Sequence, residues 1–442
     1  MLIAWSSYPY PYKLMLRSVA RRLRLILFGA ILLSTLSIWT VSKGDIQPSE
    51  LRAQPAISSD TRSDVNAMDT AIDPRLLAAN TRFGFKLFSQ VLQQQDENVL
   101  ISPVSISIAL GMTNNGASGE TQQAMQRTLE LEGMSLEQIN QANQALLSQL
   151  KSGDPDVMLT IANSLWAKEG IQFDANFLQR NRTFYAADVT TLNMGQPDAV
   201  NRINAWVNDQ TAGKIPQIVQ SIDPNDILFL INAIYFKGNW TAPFDPQATI
   251  DQPFHLADGT VKSHPLMAQR GQYGYLETEQ FQAIQLPYGN QRWQMYVFLP
   301  QPNSDLSSFM QTLTPENWQT WSDAFEMRPG TVQLPRFRLE YGLSLINTLE
   351  ALGMGIAFDP DRADLSAMTD RPAFISEVQH QTFMEVNEAG TEAAAATSVT
   401  VTTRGFPQSP FQMTIDRPFF CAVQDEQTGT ILFMGAIREP QG

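Results

Sequence analysis

The side chains that most often carry catalysis are scarce in this chain of 442 residues and show no catalytic spacing. None of the three histidines lies in an HExxH motif, and a single cysteine, Cys421, excludes both CxxC spacing and an intramolecular disulfide. Ser118, in the run of residues 116–119, lacks the Gly-x-Ser-x-Gly spacing of a hydrolase nucleophile. These patterns predict no catalytic residue, no metal site and no cofactor, and a hydrolase with an unrecognised site stays as an alternative.

The segment of residues 390–404 indicates a conformational change rather than catalysis. The four alanines at 393–396 favour a helix, whereas residues 397–403 are β-branched or hydroxylated and favour a pleated strand. No proline interrupts the segment, and Glu392 is its only charged side chain before Arg404. The segment is therefore able to enter the middle of a sheet. The alternative is a solvated, alanine-rich helical turn leading into an edge strand.

The flanking residues give this segment a context. In residues 375–387, the side chains at every second position fall on one face, and this period of two predicts a long strand that runs directly into the segment at 390–404. Downstream, Pro407 and Pro410 break any strand pairing. The order is therefore a strand, then a segment able to become a strand, then a loop tip that presents Arg404.

Two polar residues lie on strand faces that are otherwise apolar. Asn232 stands between Leu230 and Ile234, and His380 lies two residues from Val378. A buried polar group without a hydrogen bond costs about 1–3 kcal/mol, so each side chain is predicted to have a partner. From the residues alone, the simplest interpretation is that both are ordinary polar groups of the core.

The overall charge argues against two classes of partner. The formal net charge is −14, and the first 43 residues contain six basic side chains and no acidic one, so the rest of the chain is more acidic still. Nucleic-acid binding and a heparin-like cofactor site both need clustered cations and are therefore not expected. The apolar pattern around Cys421 indicates a buried, inert thiol.

The N-terminal segment, residues 1–42, has the pattern of a signal peptide or a membrane anchor. A flank with three arginines precedes residues 25–41, which carry no charge, and small residues suited to cleavage follow. The uncharged run also reaches the length of a short transmembrane helix, which needs about 17–25 residues, so both alternatives stay open. Either one places the folded domain outside the cytoplasm, in an extracellular or periplasmic location. Residues 43–72 are polar and predict a disordered linker.

The remaining residues, 73–442, have the pattern of one large α+β domain. A helix is predicted to begin at Asp73 and Pro74, and helical patterns return at residues 104–114, 119–129, 136–150, 175–185 and 198–211. Strand patterns occur at residues 157–166, 227–237, 282–286, 293–299 and 331–339. Helices and strands are segregated more than alternated, which favours an α+β fold over a doubly wound sheet.

Several separated motifs resemble those of the serpin family of serine protease inhibitors. Residues 385–397, Glu-Val-Asn-Glu-Ala-Gly-Thr-Glu-Ala-Ala-Ala-Ala-Thr, are similar to the hinge of inhibitory serpins nearly residue for residue. Residues 413–423 resemble the family's C-terminal motif, and residues 433–435 its closing strand. Similar stretches occur in the family's order at residues 98–107, 232–244, 334–338 and 352–359. The resemblance covers residues 73–440.

The resemblance implies a serpin fold, which is a single large domain with a central β-sheet, additional sheets, about nine helices and an exposed reactive-centre loop at about residues 388–410. By the family's spacing, a protease cuts the bond between Arg404 and Gly405, because Arg404 lies fourteen residues after Gly390. The implied loop hinge comprises Glu388, Gly390, Thr391, Glu392, Ala393, Ala394, Ala395, Ala396 and Thr397. The implied sheet-opening cluster comprises Ser102, Ser105, Asn232 and His380, and Trp240 marks the region where the loop enters the sheet.

The same resemblance implies an inhibitor rather than an enzyme. A protease would attack Arg404 as a substrate residue and be trapped as a covalent complex when the cleaved loop inserts into the central sheet. Trypsin-like serine proteases are the expected targets, because an aspartate at the base of their specificity pocket pairs with a cationic side chain. A monomer is the expected state. Two alternatives stay open: a register shifted by one residue, with Thr403 selecting an elastase-like protease, and a non-inhibitory serpin that acts as a binding or chaperone module.

Overall fold

The structure is a computed structural model that describes residues 71–151, 153–223, 225–391 and 409–442. These residues belong to one unit, Ala67–Gly442. The predicted signal or anchor segment and nearly all of the predicted linker lie outside the described residues, as does the loop at residues 392–408. Among the helices that the structure describes, none is long and apolar enough to span a bilayer.

Helices account for much of the first half of the domain, and the six predicted ones are confirmed. Asp73 accepts a hydrogen bond from the Arg75 amide at 2.9 Å, and Ser135 and Gln138 form a reciprocal capping box. These caps explain why two of the helices begin where the sequence indicates. The described residues contain nine α-helices: α1 Pro74–Leu92, α2 Pro103–Asn114, α3 Gly119–Thr128, α4 Leu136–Leu150, α5 Ala175–Tyr185, α6 Ala199–Gln210, α7 Leu306–Thr312, α8 Pro315–Ser322 and α9 Ile346–Leu349.

Strands dominate the rest of the domain and form two sheets. The strands of the described residues are β1 Val99–Ile101, β2 Val157–Lys168, β3 Asp188–Leu192, β4 Leu228–Asn239, β5 Ile250–His255, β6 Val261–Glu277, β7 Phe281–Tyr288, β8 Trp293–Pro300, β9 Glu326–Pro335, β10 Phe337–Ser344, β11 Gln379–Asn387, β12 Gly390–Thr391, β13 Phe411–Thr414, β14 Phe419–Asp425 and β15 Thr430–Ile437.

The central sheet has six strands in the order β10–β11–β12–β4–β2–β3. The two-residue strand β12 is antiparallel to both of its neighbours, so β11 and β4 run in the same direction on either side of it. β4 has twelve residues, which corresponds to a length of roughly 40 Å at about 3.3 Å per residue. A strand that continued from β12 between β11 and β4 would therefore have a long partner along its whole length.

The second sheet has nine strands, and α2 lies between it and the central sheet. Its order is β1–β15–β14–β8–β7–β6–β9–β13, with β5 paired to the first part of β6. Eleven of the twelve residues of α2 are buried, and this helix contacts both β4 and β15. A helix that is apolar around its whole circumference is expected in the core. Its position brings the polar N-terminus of α2 to the middle of the central sheet.

The strand predicted at residues 331–339 is wrong, because the chain forms two strands there. β9 ends at Pro335 in the second sheet, and β10 begins at Phe337 in the central sheet. The alternation of buried side chains changes phase between Leu334 and Phe337, which one continuous strand does not allow. The strand predicted from residue 375 begins only at Gln379, although it ends at Asn387 as expected.

The single cysteine behaves as its sequence context indicated. Cys421 lies in β14 and is 1% exposed. Burial raises the pKa of its thiol to about 12, so the reactive thiolate is not populated at neutral pH. The side chain therefore acts as a small apolar residue of the core.

Candidate functional site

The hinge of the predicted loop turns into the central sheet at Gly390. Gly390 and Thr391, which form β12, pair with β11 on one side and with β4 on the other. Gly390 has a φ angle of 147°, and a Cβ atom there would collide with the carbonyl oxygen of Gly238 in β4. Only glycine therefore lets the backbone approach β4 this closely. The hinge residues after Thr391, 392–397, and the Arg404–Gly405 bond lie outside the described residues.

Trp240 and Phe244 hold the backbone that leads into β12. The Trp240 amide donates a hydrogen bond to the Ala389 carbonyl at 2.9 Å, and its indole Nε1 donates to the Asn387 carbonyl at 2.9 Å. The Phe244 amide donates to the Glu388 carbonyl at 2.8 Å. Three successive hinge carbonyls are thus bound by the turn that follows β4. The sequence marked only Trp240 as part of this region.

Tyr288 connects the same tryptophan to the inserted residues. Its ring stacks on Trp240 with 4.3 Å between centroids and an interplanar angle of 12°. Its hydroxyl lies 2.7 Å from Thr391 Oγ1, and both side chains are buried. This residue of β7 was not identified from the sequence, because an apolar strand with one tyrosine carries no signal of such a contact.

Glu388 pairs with charged and polar groups beneath the hinge. It is 7% exposed, accepts a hydrogen bond from Thr249 Oγ1 at 2.7 Å, and lies 3.2 Å from Arg336 Nε. Arg336 lies in the short connection between β9 of the second sheet and β10 of the central sheet. Its contact with Glu388 therefore links the hinge to both sheets. Neither partner of Glu388 was predicted from the sequence, although Arg336 lies within one of the resembling stretches.

Replacing Glu388 with lysine should destabilise the region where the loop enters. A second cation would face Arg336 in a mostly buried position, and we expect a loss of about 1–3 kcal/mol. Thermal unfolding should shift down by several degrees, and the intact protein should associate or inactivate faster on warming, as followed by size-exclusion chromatography. Glu279→Lys makes the same charge change at an exposed turn and should leave both properties unchanged. Equal behaviour of the two variants would contradict the role of the Glu388 pair.

The N-terminus of α2 brings the predicted polar cluster together. Ser102 caps α2 and donates its backbone amide to His380 Nε2 at 3.1 Å. Ser105 donates its hydroxyl to Asn232 Oδ1. Both polar strand residues therefore have partners, as predicted, and the partners belong to one helix end that spans β4 and β11. Asn232 and His380 do not contact each other directly through a hydrogen bond among the described residues.

Asn163 extends this cluster across the sheet and was missed from the sequence. Asn232 Nδ2 donates to Asn163 Oδ1 at 2.6 Å, and Asn163 Nδ2 donates to the Tyr185 carbonyl at 2.8 Å. The network therefore runs from β4 through β2 to the end of α5. A single asparagine in the apolar strand pattern of β2 was the available signal, and it is the same signal that identified Asn232.

His380 is neutral in the folded protein. It is 4% exposed, and burial lowers the pKa of its imidazole to about 3. Because Nε2 accepts the Ser102 amide, protonation of that nitrogen would break the hydrogen bond. The unfolded chain binds a proton near pH 6.5, whereas the folded chain does not. The stability that neutral His380 contributes is complete above about pH 6.5 and is lost as the pH falls toward 3.

This difference predicts acid sensitivity that depends on His380. Between about pH 7.5 and pH 5, the wild type should lose about 2 kcal/mol that His380→Gln does not lose, because glutamine does not titrate. Thermal unfolding at the two pH values measures this difference. His255→Gln replaces an exposed histidine and should keep the acid sensitivity of the wild type. If His380→Gln were as acid-sensitive as the wild type, the buried imidazole would not be its cause.

A second apolar core covers the central sheet between β4 and β11. Ile203 of α6 and Ile218, in the segment after this helix, belong to it together with Ile231 of β4 and Phe383 of β11. These contacts join the strands between which β12 lies. A strand that entered there would have to displace them, and the cost of doing so is a barrier to insertion.

The chain beyond the loop is held in the second sheet. β13 pairs in parallel with β9, and the Phe411 ring stacks on Tyr275 with 3.9 Å between centroids and an interplanar angle of 9°. Gly330 permits this approach, because a Cβ atom there would collide with the Phe411 ring. No cluster of histidine, cysteine, aspartate or glutamate in the described residues is arranged to hold a metal ion.

Comparisons with known proteins identify the family. The model of the family Serpin (serine protease inhibitor) matches residues 78–440. This chain belongs to the serpin family. Leukocyte elastase inhibitor of Homo sapiens is 35% identical over 381 residues, which cover 83% of this serpin and 100% of that protein. Antithrombin-III of Homo sapiens is 31% identical over 379 residues, which cover 83% of this serpin and 82% of that protein.

Solved structures agree with this assignment. The crystal structure of the thermophilic serpin Tengpin in the native state has a TM-score of 0.77 and 32% identity, covering 84% of this serpin and 95% of that chain. Thyroxine-binding globulin in complex with thyroxine has a TM-score of 0.75 and 28% identity, and the match covers 83% of this serpin and 100% of that chain. The α+β serpin fold implied by the sequence motifs is therefore confirmed, with its nine α-helices among the described residues.

Proposed function

We propose that this serpin is a suicide-substrate inhibitor of trypsin-like serine proteases. The observation that carries the proposal is β12, in which Gly390 and Thr391 stand between β11 and β4. The segment that follows contains small side chains and no proline up to Arg404, so it suits continued insertion along the same track. The names of two relatives, leukocyte elastase inhibitor and antithrombin-III, support an inhibitory role.

The proposed reaction begins as ordinary proteolysis. The serine of the protease attacks the Arg404 carbonyl, the Arg404–Gly405 peptide bond breaks, and an ester joins Arg404 to the protease. Cleavage frees the loop upstream of Arg404, which then gains backbone hydrogen bonds to β11 and β4. Fourteen inserted residues carry the attached protease on the order of 45 Å, at about 3.3 Å per residue. Displacement of this size distorts the protease before the ester hydrolyses.

The intact chain resists the same movement because both ends of the loop are held. At the far end of the loop, Thr414 of β13 pairs with Gln333 of β9. Gln333 lies three residues before Arg336, and Arg336 contacts Glu388 at the entry point. The chain from Arg404 to Phe411 reaches at most about 25 Å. Full insertion moves Arg404 much farther, so β13 would have to leave β9 unless the loop were cut. The native fold is accordingly a kinetically held state.

Mixing the protein with trypsin tests the proposal. We expect a covalent complex that survives boiling in detergent and a released C-terminal peptide that begins at Gly405. The cleaved serpin should also melt well above the intact one, because a full strand has joined the central sheet. Trypsin with its catalytic serine replaced by alanine is the control and should form no such complex. Cleavage at Arg404 without a complex and without a gain in melting temperature would refute inhibition.

A second candidate function is that of a non-inhibitory binding module. The similarity to thyroxine-binding globulin, whose structure contains thyroxine, favours this alternative. Such a protein would be cut in the loop without trapping the protease. The small residues of the hinge favour inhibition instead, because every side chain from Thr391 to Thr397 except Glu392 is small and uncharged.

We also propose a location for the protein from the pattern of its N-terminal segment. We place the domain outside the cytoplasm, extracellular or periplasmic, because the arginine-rich flank and the uncharged run at residues 25–41 suit export. The domain is either secreted after cleavage or attached to a membrane through the uncleaved run. N-terminal sequencing of the mature protein distinguishes the two, and recovery of the intact N-terminus in the cytoplasm would contradict both.

A further inference from the structure

We propose that a cavity beside the hinge is a binding site for a small neutral carbohydrate. The cavity has a volume of about 220 Å³ and lies among β6, β7, β8, β9 and the turn after β4. Buried rings of Trp240, Phe244 and Tyr273 contribute to its floor, and the exposed side chains of Gln272 and Met327 lie at its rim. At roughly 30 Å³ per water molecule, this volume equals about seven waters, which suits one sugar ring rather than an oligosaccharide.

Amide groups supply most of the polar lining of this cavity. A glutamine side chain both donates and accepts hydrogen bonds, and sugar hydroxyl and N-acetyl groups do the same. Among the described residues, no charged side chain lines the cavity, so a charged ligand would lose its hydration without gaining an opposite charge there. The chemistry therefore favours a neutral ligand with hydroxyl groups and an apolar face. The glutamines of the lining are Gln269, Gln272, Gln285, Gln291 and Gln294.

Gln285 is oriented for a ligand. Its Nε2 donates to the Tyr296 hydroxyl at 3.1 Å, and its Oε1 accepts no hydrogen bond from another described residue. Gly274, its cross-strand neighbour in β6, provides the space, because a Cβ atom there would collide with Oε1. The side chain of Gln272 likewise has no hydrogen-bond partner among the described residues. These two glutamines leave acceptor and donor groups available at the cavity.

The cavity shares its wall with the hinge. Trp240 and Phe244 both line it and bind the hinge carbonyls. Gln269 fixes the intervening turn, since its Nε2 donates to the Ala242 and Pro243 carbonyls at 2.9 and 2.7 Å. A ligand that binds this turn more tightly in one of its two positions, before or after loop insertion, changes the insertion equilibrium. By linkage, insertion changes the affinity for the ligand by the same factor. This second step rests on the proposed inhibitory function, whereas binding itself does not.

Titration of the intact protein with single sugars tests the binding site. N-acetylglucosamine and glucose are the neutral probes, and glucosamine and glucuronate are charged counterparts with the same ring. Calorimetry or saturation-transfer NMR should show saturable binding of a neutral sugar and weaker binding of both charged ones. Gln285→Leu and Gln272→Leu should each weaken binding about fivefold to tenfold, the effect of one lost hydrogen bond. Gln280→Leu, an exposed glutamine outside the cavity, should leave affinity unchanged.

Three results would overturn the site: no binding of either neutral sugar, binding of the charged sugars at least as tight, or equal weakening in Gln280→Leu. Thermal unfolding of each variant checks its folding, and Gln272 at the exposed rim keeps the test valid if Gln285→Leu unfolds. The link to insertion is measured as the rate of trypsin inhibition with and without saturating sugar. Binding without a rate change would refute the link alone. Failure to inhibit trypsin at all would refute the proposed function and leave the binding result intact.

Discussion

Arg404→Ala is expected to lower the rate of trypsin inhibition on the order of a thousandfold, since the aspartate of the protease's specificity pocket would lose its cationic partner. The proposed target class depends on this one side chain, because charge at the cleaved bond selects the protease. The second-order rate constant for loss of trypsin activity measures the effect. The variant should keep the thermal unfolding of the wild type, because the change lies in the loop at the cleaved bond.

Thr403→Ala is the matched variant, because it changes the neighbouring side chain. If the register is as proposed, this variant should inhibit trypsin within about threefold of the wild type, as expected for loss of contacts that do not enter the specificity pocket. If Thr403 were the specificity residue, the wild type would trap an elastase-like protease better than trypsin. Arg404→Ala would then retain inhibition of that elastase-like protease. That pattern would contradict the trypsin-like assignment while leaving the trapping reaction itself in place.

Gly390→Val is expected to turn the inhibitor into a substrate. A side chain at this position would collide with the carbonyl of Gly238, and the φ angle of 147° is unfavourable for a branched residue. Strain of about 1–3 kcal/mol would slow insertion roughly tenfold to a hundredfold, which lets the ester hydrolyse first. On a denaturing gel, cleaved serpin should accumulate and the covalent complex should nearly disappear. The number of serpin molecules consumed per protease inhibited should rise accordingly.

Ala389→Val is the control, one residue before the glycine. Ala389 is partly exposed and binds Trp240 through its backbone carbonyl, which valine retains. This variant should still form the covalent complex. A Gly390→Val protein that trapped trypsin as efficiently as the wild type would show that close approach of the hinge to β4 is not required. In that case the two-residue strand β12 would not be the start of the insertion track.

The proposed trap requires that insertion be favourable but delayed, and the structure contains three restraints on it. Glu388 ties the entry point to Arg336, the polar N-terminus of α2 binds both β4 and β11, and an apolar core with α6 covers the sheet between them. Each restraint contributes to the barrier and none blocks the entry of β12. In the proposed reaction, cleavage removes a fourth restraint, the connection to β13, so the protease itself would start the movement.

Local patterns in the sequence were sufficient for the first six helices, for several strands and for part of the site. Asp73 indicated the start of α1, because a capping side chain acts on amides only a few residues away. Asn232 and His380 were identified because each interrupts an apolar strand face, and both have partners. The hinge glycine and the small residues after it were recognised from side-chain size, and Arg404 was chosen from the spacing of the family that the motifs resemble. The roles of the residues beyond Thr391 stay predictions.

Contacts between distant segments needed the tertiary structure. His380 binds the amide of Ser102, which lies 278 residues earlier, and Glu388 meets Arg336 and Thr249 from two other strand connections. The glutamine-lined cavity brings together four strands and the turn after β4, and no segment alone indicates it. Periodicity records which face of a strand is buried but not which strand lies beside it, and for this reason the break between β9 and β10 was also missed. Local preference thus determined six of the helices and several of the strands, and the choice of Arg404 as the cleaved residue stays a prediction. Packing over long chain separations decided which contacts hold the hinge.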